Sequence, residues 1–509
     1  MRNQFRRIHC TFHFLGYLLE TLGAVFLLPL AVVFIYWKTT GEGWTTIVAF
    51  ALPSVASFAA GHKLRKVFRA EPPDITDSML ICTLGWLIAS AFGALPFVIS
   101  LRLGYLNAYF EAISGFTTTG FTVLSGLDAM PRSILFWRAL TQWVGGIGIL
   151  SFFLAITFRG TGAHHVFGAE SHKIASTRPV PGIFNTLKIL WGIYGAFTLI
   201  GAMVLALEQV PVFDAVCHAL TTLSTGGFSP HDASIGYYAL TGHPHHKLIE
   251  YTLTLMMMVG AINFLIHYRV LTGNLRAFWD NMEIRYWWRF IAVFTAVVLI
   301  DHLYKSGTLG VLLTNPTSIE AGGLEQSFRR TVFQVTAILT TTGYVTQDIA
   351  SDFFPALSKQ LFLVMMVFGG CVGSTSGGFK MMRVVLLTRL MMREIRKLWV
   401  PGRAVTTLIV DGKPVPNDEV HRTAALFFTW MALVAIGGGI TALFSNQGTL
   451  SSLSGMFSAL GNIGPCYIRG GDLIEISPMV KITYIFGMLA GRLEILPVLL
   501  LFSRRAWRG

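Results

Sequence analysis

The chain has 509 residues, of which 53% are hydrophobic and only 13% are charged. Soluble domains carry about 25% charged residues, so this composition excludes a soluble protein and indicates an integral membrane protein. The formal net charge is +13. No nucleic-acid-binding motif accompanies this charge, which therefore indicates basic cytoplasmic loops and no nucleic-acid partner.

Two apolar segments at the amino terminus, residues 12–37 and 44–61, are long enough to cross a bilayer. Three arginines precede the first segment, as they do in a signal peptide. The apolar run is too long for a signal peptide, however, and no small-residue cleavage site closes it. We therefore expect an uncleaved first span, and we place both spans in a leading unit at residues 1–70.

The rest of the chain repeats one pattern four times: an apolar span, a short helix, a glycine-containing loop and a second span. The loop glycines lie about 110 residues apart, and such a period indicates a repeated structural unit. They are Gly120, Gly226, Gly343 and Gly464. The predicted units cover residues 71–160, 161–275, 276–400 and 401–509. Their spans are expected at residues 75–100, 132–158, 183–208, 247–271, 286–306, 356–396, 420–445 and 478–503.

The helices before the loops are too short to cross a membrane. They are predicted at residues 107–117, 212–223, 327–339 and 450–461. Irregular backbone at membrane depth is tolerated only inside protein or facing water, so the loops should surround a central polar path. Each short helix would also point the negative end of its dipole toward a cation on that path.

The four loops share hydroxyl residues and glycine. They read Thr117-Thr118-Thr119-Gly120-Phe121, Leu223-Ser224-Thr225-Gly226-Gly227-Phe228, Leu339-Thr340-Thr341-Thr342-Gly343-Tyr344 and, more weakly, Gly461-Asn462-Ile463-Gly464-Pro465. One such string is ordinary turn punctuation. Four equivalent copies favour an ion filter, in which backbone carbonyls replace the hydration shell of a cation. Glycine permits the backbone angles that such loops need, and hydroxyls add ligands or hold the loop.

We predict filter residues in all four loops, with Gly226 aligned to Gly120. The predicted set is Thr118, Thr119, Gly120, Thr225, Gly226, Thr341, Thr342, Gly343, Asn462, Ile463 and Gly464. K⁺ is expected to bind at Thr118, Thr119, Ser224, Thr225, Thr341, Thr342, Asn462 and Ile463. The fourth loop lacks hydroxyls just before its glycine, so its coordination is expected to be weaker or purely backbone.

A glycine-rich segment at residues 369–380 interrupts the second span of the third unit. Five glycines and three hydroxyl residues cannot hold a regular helix at low cost. A phosphate-binding loop is one alternative, but Phe379 precedes Lys380, no Ser or Thr follows, and the strand and helix context is missing. A simple packing kink is another alternative.

Arg492 lies inside the last apolar span, where a charge is costly and is by default functional. Glu494 is two residues farther on, on a different helix face, and is not an obvious partner. An ion pair between Arg492 and another span is the structural alternative.

Polar residues are also expected at the outer mouth. Glu111 and Asp214, on two short helices, would add a negative field there or would serve as caps and packing hydrogen bonds. A histidine cluster near the second loop matches no standard metal spacing and is expected to be solvated, with metal capture as the alternative. It comprises His231, His243, His245 and His246.

The distribution of basic residues predicts the orientation in the membrane. Most of the 39 Lys and Arg residues fall on one side of a ten-span arrangement that has both termini in the cytoplasm. The densest basic stretch is expected to orient the chain and to contact anionic lipid. It comprises Arg383, Arg389, Arg393, Arg396, Lys397 and Arg403.

The loop glycines, the 369–380 segment and the sequence Gly491-Arg492-Leu493-Glu494 resemble those of the TrkH/TrkG/KtrB group of bacterial K⁺ transporters, which is related to the HKT proteins of plants. The resemblance covers nearly the whole chain and is nearest to the TrkH branch. It implies an all-α polytopic membrane protein with four repeated helix–pore loop–helix units around a pseudo-fourfold pore, preceded by two extra transmembrane helices. It also implies K⁺ uptake across the bacterial inner membrane and no enzymatic activity.

The resemblance assigns further roles. It implies that an intramembrane loop gates ion flow below the filter and that Arg492 projects into the pore there. The implied gate residues are Gly369, Gly370, Gly373, Ser374, Thr375, Ser376, Gly377, Gly378, Lys380 and Arg492. In the plant relatives, serine at the first filter glycine goes with Na⁺ preference, so Gly120 favours K⁺. The family further implies a homodimer, a cytosolic nucleotide-binding regulatory ring of the TrkA/KtrA type docked on the basic stretch, and no organic cofactor in this chain.

Two other functions are open to the sequence. A coupled transporter that moves K⁺ with H⁺ or Na⁺ needs a titratable group in the translocation path, and the candidates near the loops are Glu111, Asp214 and His218. A membrane enzyme subunit needs paired intramembrane His or carboxylate clusters. Asn263 and His267 are the nearest approach to such a cluster and are too few.

Overall fold

The computed structural model describes residues 2–37, 41–148, 183–314, 321–399, 407–468 and 470–508. Within these ranges the chain is helical except for loops and one two-stranded hairpin, in which Ile409–Val410 pairs with Lys413–Pro414. The end of the predicted span at 132–158, from residue 149 onward, lies outside the described residues, as does Arg403.

Two leading helical spans pack against each other. The first consists of Arg2–Val25 and Leu27–Ile35, and it begins earlier than the predicted residue 12. The second is Trp44–Val67. Hydroxyls of the second span donate to carbonyls of the first, because Ser54 Oγ bonds Gly23 at 2.7 Å and Ser57 Oγ bonds Leu19 at 2.7 Å. These bonds satisfy polar groups inside the apolar helix pair.

Four units follow in chain order. The first has Ile75–Gly93, Leu95–Leu101, Tyr105–Phe116, the 3₁₀ turn Leu127–Ala129, and Arg132–Ile147. The second has Ile183–Leu207, Val212–Leu223, Gly236–Leu240, His246–Ala261, Phe264–Leu271 and the 3₁₀ turn Leu275–Phe278. The third has Met282–Lys305, Thr308–Thr314, Ala321–Leu339, Ala356–Met365 and Met381–Lys397. The fourth has the hairpin, Asn417–Phe444, Thr449–Gly461, Gly470–Leu473, Pro478–Leu493, Leu496–Leu501 and Arg504–Arg508.

Six helices of the described residues are long and apolar enough to cross a membrane, and a seventh candidate is a pair bent by 102°. The predicted all-α polytopic class is therefore confirmed. Of the other predicted spans, those at 356–396 and 478–503 are interrupted, and the one at 132–158 is described only as far as residue 148. Three of the helices that precede the loops are short, as predicted, at 12 or 13 residues. The third is longer, because Ala321–Leu339 has 19 residues and begins before the predicted residue 327.

Second spans break below the loops. The span predicted at 247–271 bends between Ala261 and Phe264, where the Asn263 side chain accepts from the Leu265 amide at 2.8 Å. The span predicted at 478–503 breaks at Glu494 and Ile495, which both have left-handed φ angles, 64° and 62°. The expectation of continuous spans was wrong at these two places. In the third unit the predicted interruption is present, and we call residues 366–380 the inserted segment.

Candidate functional site

Four loops of identical backbone shape begin where the short helices end. We name the five-residue segments loop 1 (117–121), loop 2 (224–228), loop 3 (340–344) and loop 4 (461–465). The second residue of each loop has a left-handed φ, 54° at Thr118, 52° at Thr225, 57° at Thr341 and 53° at Asn462. The third residue of each loop donates its amide to a carbonyl five residues earlier, at Ser114, Thr221, Ala337 and Ser458. Left-handed non-glycine residues are uncommon, so their recurrence at one position identifies a true structural repeat.

The fourth residue of each loop is a glycine with positive φ, and this corrects the alignment of loop 2. These glycines are Gly120 (80°), Gly227 (77°), Gly343 (78°) and Gly464 (102°). Gly226 is therefore equivalent to Thr119 and not, as the sequence alignment had it, to Gly120. The two consecutive glycines of loop 2 made the alignment ambiguous, and the backbone angles resolve it. By the same register, Thr225 is equivalent to Thr118.

The four glycines close a ring. Each packs its α-carbon against the carbonyl oxygen of the third residue of the next loop. The pairs are Gly120 with Gly226, Gly227 with Thr342, Gly343 with Ile463, and Gly464 with Thr119. A β-carbon at Gly120, Gly227 or Gly343 would overlap that oxygen. The contacts run once around the four loops, so the carbonyls of Thr119, Gly226, Thr342 and Ile463 lie around one axis.

Cavities lie on both sides of this ring. The outer cavity has a volume of about 560 Å³ and is lined by the positive-φ glycines of all four loops. The inner cavity, of about 100 Å³, is lined by residues of the inserted segment together with Arg492. The ring lies between these two cavities. We call the larger one the outer vestibule, after the orientation that the sequence predicts, and the smaller one, which Lys380, Arg492 and Glu494 line, the inner chamber.

Hydroxyls within the loops are used to hold the loops in shape. Thr117 Oγ1 donates to the Ile113 carbonyl at 2.6 Å and lies 2.8 Å from Thr119 Oγ1. Loop 3 repeats both contacts, with Thr340 Oγ1 at 2.7 Å from the Thr336 carbonyl and 2.7 Å from Thr342 Oγ1. These hydroxyls fix the loop backbone, and the ring is built from carbonyls.

The inserted segment packs directly under loops 2 and 3. Thr375 Oγ1 lies 2.9 Å from the carbonyl oxygens of Leu223 and Gly260. The same Thr375 hydroxyl accepts a hydrogen bond from Thr225 Oγ1 at 3.3 Å. The Gly377 amide donates to Thr341 Oγ1 at 2.8 Å. The second residue of each of these two loops therefore contacts the inserted segment.

Glu283 anchors the inserted segment from the side. Its Oε1 accepts from the Val372 amide at 2.7 Å and from the Met382 amide at 3.1 Å. Glu283 is buried, and the sequence analysis did not identify it. One carboxylate oxygen thus holds the segment and the first turn of the helix that follows.

Arg492 connects loop 1 to the inserted segment. Its Nη1 lies 3.0 Å from Thr118 Oγ1 and 2.6 Å from the Thr375 carbonyl. Its Nη2 donates to the carbonyls of Gly145 and Gly146 at 2.6 and 2.5 Å. The guanidinium therefore lies under the ring and is held largely by backbone oxygens.

Two further cations and a carboxylate lie at the same level. Lys380 Nζ donates to the Ser376 carbonyl, and Arg383 pairs with Glu494. Lys380 and Arg383 are both buried. Arg383 is therefore not available for the lipid contact expected of the basic stretch, whereas Arg396 and Lys397 of that stretch are exposed.

Behind loops 1 and 2 lies a buried ion pair. Arg138 Nε donates to Glu111 Oε1 at 2.9 Å, and Glu111 Oε2 accepts from the Val123 amide at 3.0 Å. Arg138 Nη1 donates to the Ser229 carbonyl at 2.9 Å. Glu111, a sequence candidate, thus serves packing and loop support. The sequence analysis missed Arg138, for which the available signal was a charge inside an apolar helix.

At the outer mouth, His231 bridges two carboxylates. Its Nδ1 lies 2.5 Å from Asp128 and its Nε2 lies 3.3 Å from Asp214. Burial lowers the pKa of His231, but the hydrogen bonds that its ring donates to Asp214 and Asp128 outweigh burial and raise the pKa above the ordinary value. Among the described residues no group of three or more His, Cys, Asp and Glu side chains is arranged to hold a metal ion.

Comparison with known proteins gives a consistent result. The sequence model of one family, described as TrkH, cation transport protein, matches residues 46–507. The Trk system potassium uptake protein TrkH of Salmonella typhimurium is 32% identical over 501 residues, which cover 97% of this chain and 98% of that protein. The same protein of Escherichia coli K12 is 32% identical over 502 residues, with the same coverage. The crystal structure of the potassium transporter TrkH from Vibrio parahaemolyticus superposes with a TM-score of 0.82 at 29% identity, over 98% of this chain and 100% of that chain.

Proposed function

The chain belongs to the TrkH family of cation transport proteins, and we propose that it takes up K⁺ across the bacterial inner membrane as the translocating subunit of a Trk-type system. The observation that carries the proposal is the closed ring of carbonyls at Thr119, Gly226, Thr342 and Ile463. Four carbonyls around one axis can replace the water that a K⁺ ion loses on entering a narrow passage.

Ion entry proceeds from the outer vestibule to the ring. In this proposal K⁺ sheds water at the level of the positive-φ glycines and is coordinated by backbone oxygens of the four loops. Because the hydroxyls of Thr117 and Thr340 are used within their own loops, the backbone carries most of the coordination. This also fits loop 4, which has Asn462 and Ile463 in place of hydroxyl residues.

The gate is the inserted segment together with Arg492. The inner chamber has room for few water molecules at about 100 Å³, and a guanidinium there opposes a cation that leaves the ring. Passage therefore requires the segment to move and Arg492 to shift with it. The hydrogen bonds of Thr375 and Gly377 to loops 2 and 3 are the contacts that such a movement breaks.

Partners follow from the exposed inner surface. We propose a homodimer whose cytosolic face docks a nucleotide-binding ring of the TrkA/KtrA type on the basic stretch around Arg396 and Lys397, with anionic lipid beside it. The exposed apolar side chains of Leu398 and Trp399 follow this stretch, at 79% and 80% exposure. Movement of Met381–Lys397, which begins where the inserted segment ends, would transmit ring binding to the gate.

Coupled transport of K⁺ with H⁺ or Na⁺ is the second candidate. It requires a titratable group in the ion path. Glu111 pairs with the buried Arg138, Asp214 pairs with His231, and the His218 ring lies beside the Tyr344 hydroxyl. These contacts favour structural roles for all three candidates. The passive pathway is therefore the function that the geometry supports best.

The test is tracer uptake by the purified chain in liposomes. We expect Rb⁺ uptake that K⁺ inhibits far better than Li⁺ and that persists without a proton gradient. Gly343→Asp should abolish uptake because its side chain collides with loop 4. Gly242→Asp is the matched control, since Gly242 also has positive φ but faces open space. Normal uptake by Gly343→Asp, or no Rb⁺ uptake by the parent chain with and without a nucleotide-bound partner, would contradict the proposal.

A further inference from the structure

Gln142 connects the second span of the first unit to loop 2. Its Nε2 donates to the Gly226 carbonyl at 2.6 Å, and its Oε1 accepts from the Phe228 amide at 3.0 Å. The two contacts fix the orientation of the amide, because the acceptor must face the N–H and the donor must face the carbonyl. Gln142 is fully buried.

The carbonyl that Gln142 contacts is one of the four in the ring. The equivalent residues in the other loops, Thr119, Thr342 and Ile463, all carry a side chain, whereas loop 2 has Gly226. A β-carbon at Gly226 would overlap the Gln142 amide. The amide of Gln142 thus occupies the place that a side chain of loop 2 would fill, and the two residues are sterically matched.

Equivalent positions in two other units lack this amide. Gly145, Gly260 and Gly491 each pack against the last turn of the short helix in their own unit, at the carbonyls of Phe116, Leu223 and Leu460. This aligns the second spans of units one, two and four. Three residues before these glycines stand Gln142, Met257 and Met488. The polar contact from unit one to loop 2 is therefore not repeated at the equivalent positions of units two and four.

We propose that Gln142 is a positioning residue that sets K⁺ over Na⁺ selectivity by holding the Gly226 carbonyl at a fixed place in the ring. This inference rests on the proposed function. The amide N–H occupies one lone pair of the carbonyl and stops the oxygen from moving inward around a smaller ion. Loop 2 has two adjacent glycines and is the loop with the greatest backbone freedom, so it needs this restraint most.

The experiment compares Rb⁺ uptake and its competition by K⁺ and Na⁺ in liposomes. Gln142→Met introduces methionine, the residue that stands at the equivalent positions 257 and 488. It should reduce the ratio of K⁺ to Na⁺ competition about fivefold, the factor that corresponds to losing one hydrogen bond. Gln142→Leu also removes both contacts without adding a charge, and it should reduce the ratio to a similar degree. Met257→Leu is the matched control and should leave the ratio unchanged.

A second pair of variants tests the steric match. Gly226→Ala should abolish uptake, and Gly226→Ala combined with Gln142→Ala should restore measurable, poorly selective uptake. If Gln142→Met does not give monodisperse protein, Gln142→Asn is the alternative variant. Its side chain is one methylene shorter, so its amide no longer reaches loop 2, and the same ratio of K⁺ to Na⁺ competition is measured.

The outcomes separate this inference from the proposed function. Normal K⁺ uptake by the parent chain with an unchanged ratio in the folded Gln142 variants would overturn the inference and leave the function standing. Absence of Rb⁺ uptake in the parent chain would overturn both. A fall in the ratio with maximal uptake retained would establish the role of Gln142, because a residue that only supports the fold would reduce uptake of both ions together.

Discussion

Nη1 of Arg492 lies 3.0 Å from Oγ1 of Thr118, directly under loop 1. The same nitrogen contacts the Thr375 carbonyl of the inserted segment at 2.6 Å. One guanidinium therefore contacts both loop 1 and the inserted segment. If Arg492 moves together with the segment, the contacts of loop 1 change too, and this shared contact would link the proposed filter to the proposed gate.

The first prediction concerns the charge of Arg492. Arg492→Gln should raise Rb⁺ uptake in the absence of a regulatory partner about tenfold, because removing a positive charge under the ring lowers the barrier for a cation by about 1.4 kcal/mol. Liposome flux measures this. Arg102→Gln, at an exposed arginine remote from the inner chamber, is the control and should leave uptake unchanged. Uptake by folded Arg492→Gln that does not exceed that of the parent chain would refute the gate role.

The second prediction concerns the contacts under loop 2. Thr375→Val keeps the shape of the side chain but removes its hydrogen bonds to the carbonyls of Leu223 and Gly260. We expect basal Rb⁺ uptake to rise about fivefold, since the single hydroxyl proton that the two carbonyls share contributes about 1 kcal/mol to the closed arrangement. Thr241→Val, in an exposed outer loop, makes the same chemical change away from the segment. Equal uptake by the two variants would show that Thr375 does not hold the gate.

The sequence was sufficient to predict the fold class, because the hydropathy pattern marks the spans and the glycine pattern marks the loops. Gly369, Gly370 and Gly373 made the interruption of the third unit visible, since glycine is costly inside a helix. The breaks at Asn263 and Glu494 were not visible. Neither has glycine or proline directly beside it, so hydropathy predicts one continuous span at each place. Pro497, near the start of Leu496–Leu501, was the available signal for the second break.

The candidate site could be predicted in part. The loops were found by their repeated composition, but the register of loop 2 was not, because Gly226 and Gly227 both satisfy the sequence pattern. Only the left-handed φ of Gly227 distinguishes them. Gln142 acts on a loop 84 residues away, and Glu283 on a segment 89 residues away. A local sequence pattern cannot predict contacts between residues so far apart in the chain, because these contacts form only when the units pack around one axis.

The third prediction concerns the buried pair of Glu111 and Arg138. Glu111→Gln should lower the free energy of unfolding by about 3–5 kcal/mol, because it leaves the buried guanidinium without its counter-charge. Thermal unfolding in detergent measures the effect. Glu394→Gln removes a carboxylate from the exposed pair with Lys397 and should cause no measurable change.

A double variant distinguishes the charge from the packing at this site. Glu111→Gln with Arg138→Met removes both charges and should recover part of the stability lost by Glu111→Gln alone, because no unpaired charge remains. If the double variant is less stable than the single one, the hydrogen bonds of Arg138 to Ser229 and Thr122 matter more than its charge.

The fourth prediction concerns pH at the outer mouth. The pKa of His231 is raised by Asp214 and Asp128 against the effect of burial, so the protonated ring stabilises the folded state. That stability is fully present below the ordinary histidine pKa of about 6.5 and is lost as the pH rises through the higher folded value. The groups that face the ring are Asp128, Asp214, the stacked Tyr237 at 3.5 Å, and Tyr238.

The measurement is the thermal unfolding midpoint between pH 6 and 9 for the parent chain and for His231→Gln. The parent chain should lose stability with rising pH over this range, and the variant should show a flatter profile. Because Asp128 is 47% exposed, solvent screens its part of the interaction, and Asp214→Asn should flatten the profile more than Asp128→Asn does. Parallel profiles for the parent chain and His231→Gln would show that His231 does not titrate between these carboxylates. The bridge would then be a neutral hydrogen bond that joins the 3₁₀ turn of the first unit to the short helix of the second.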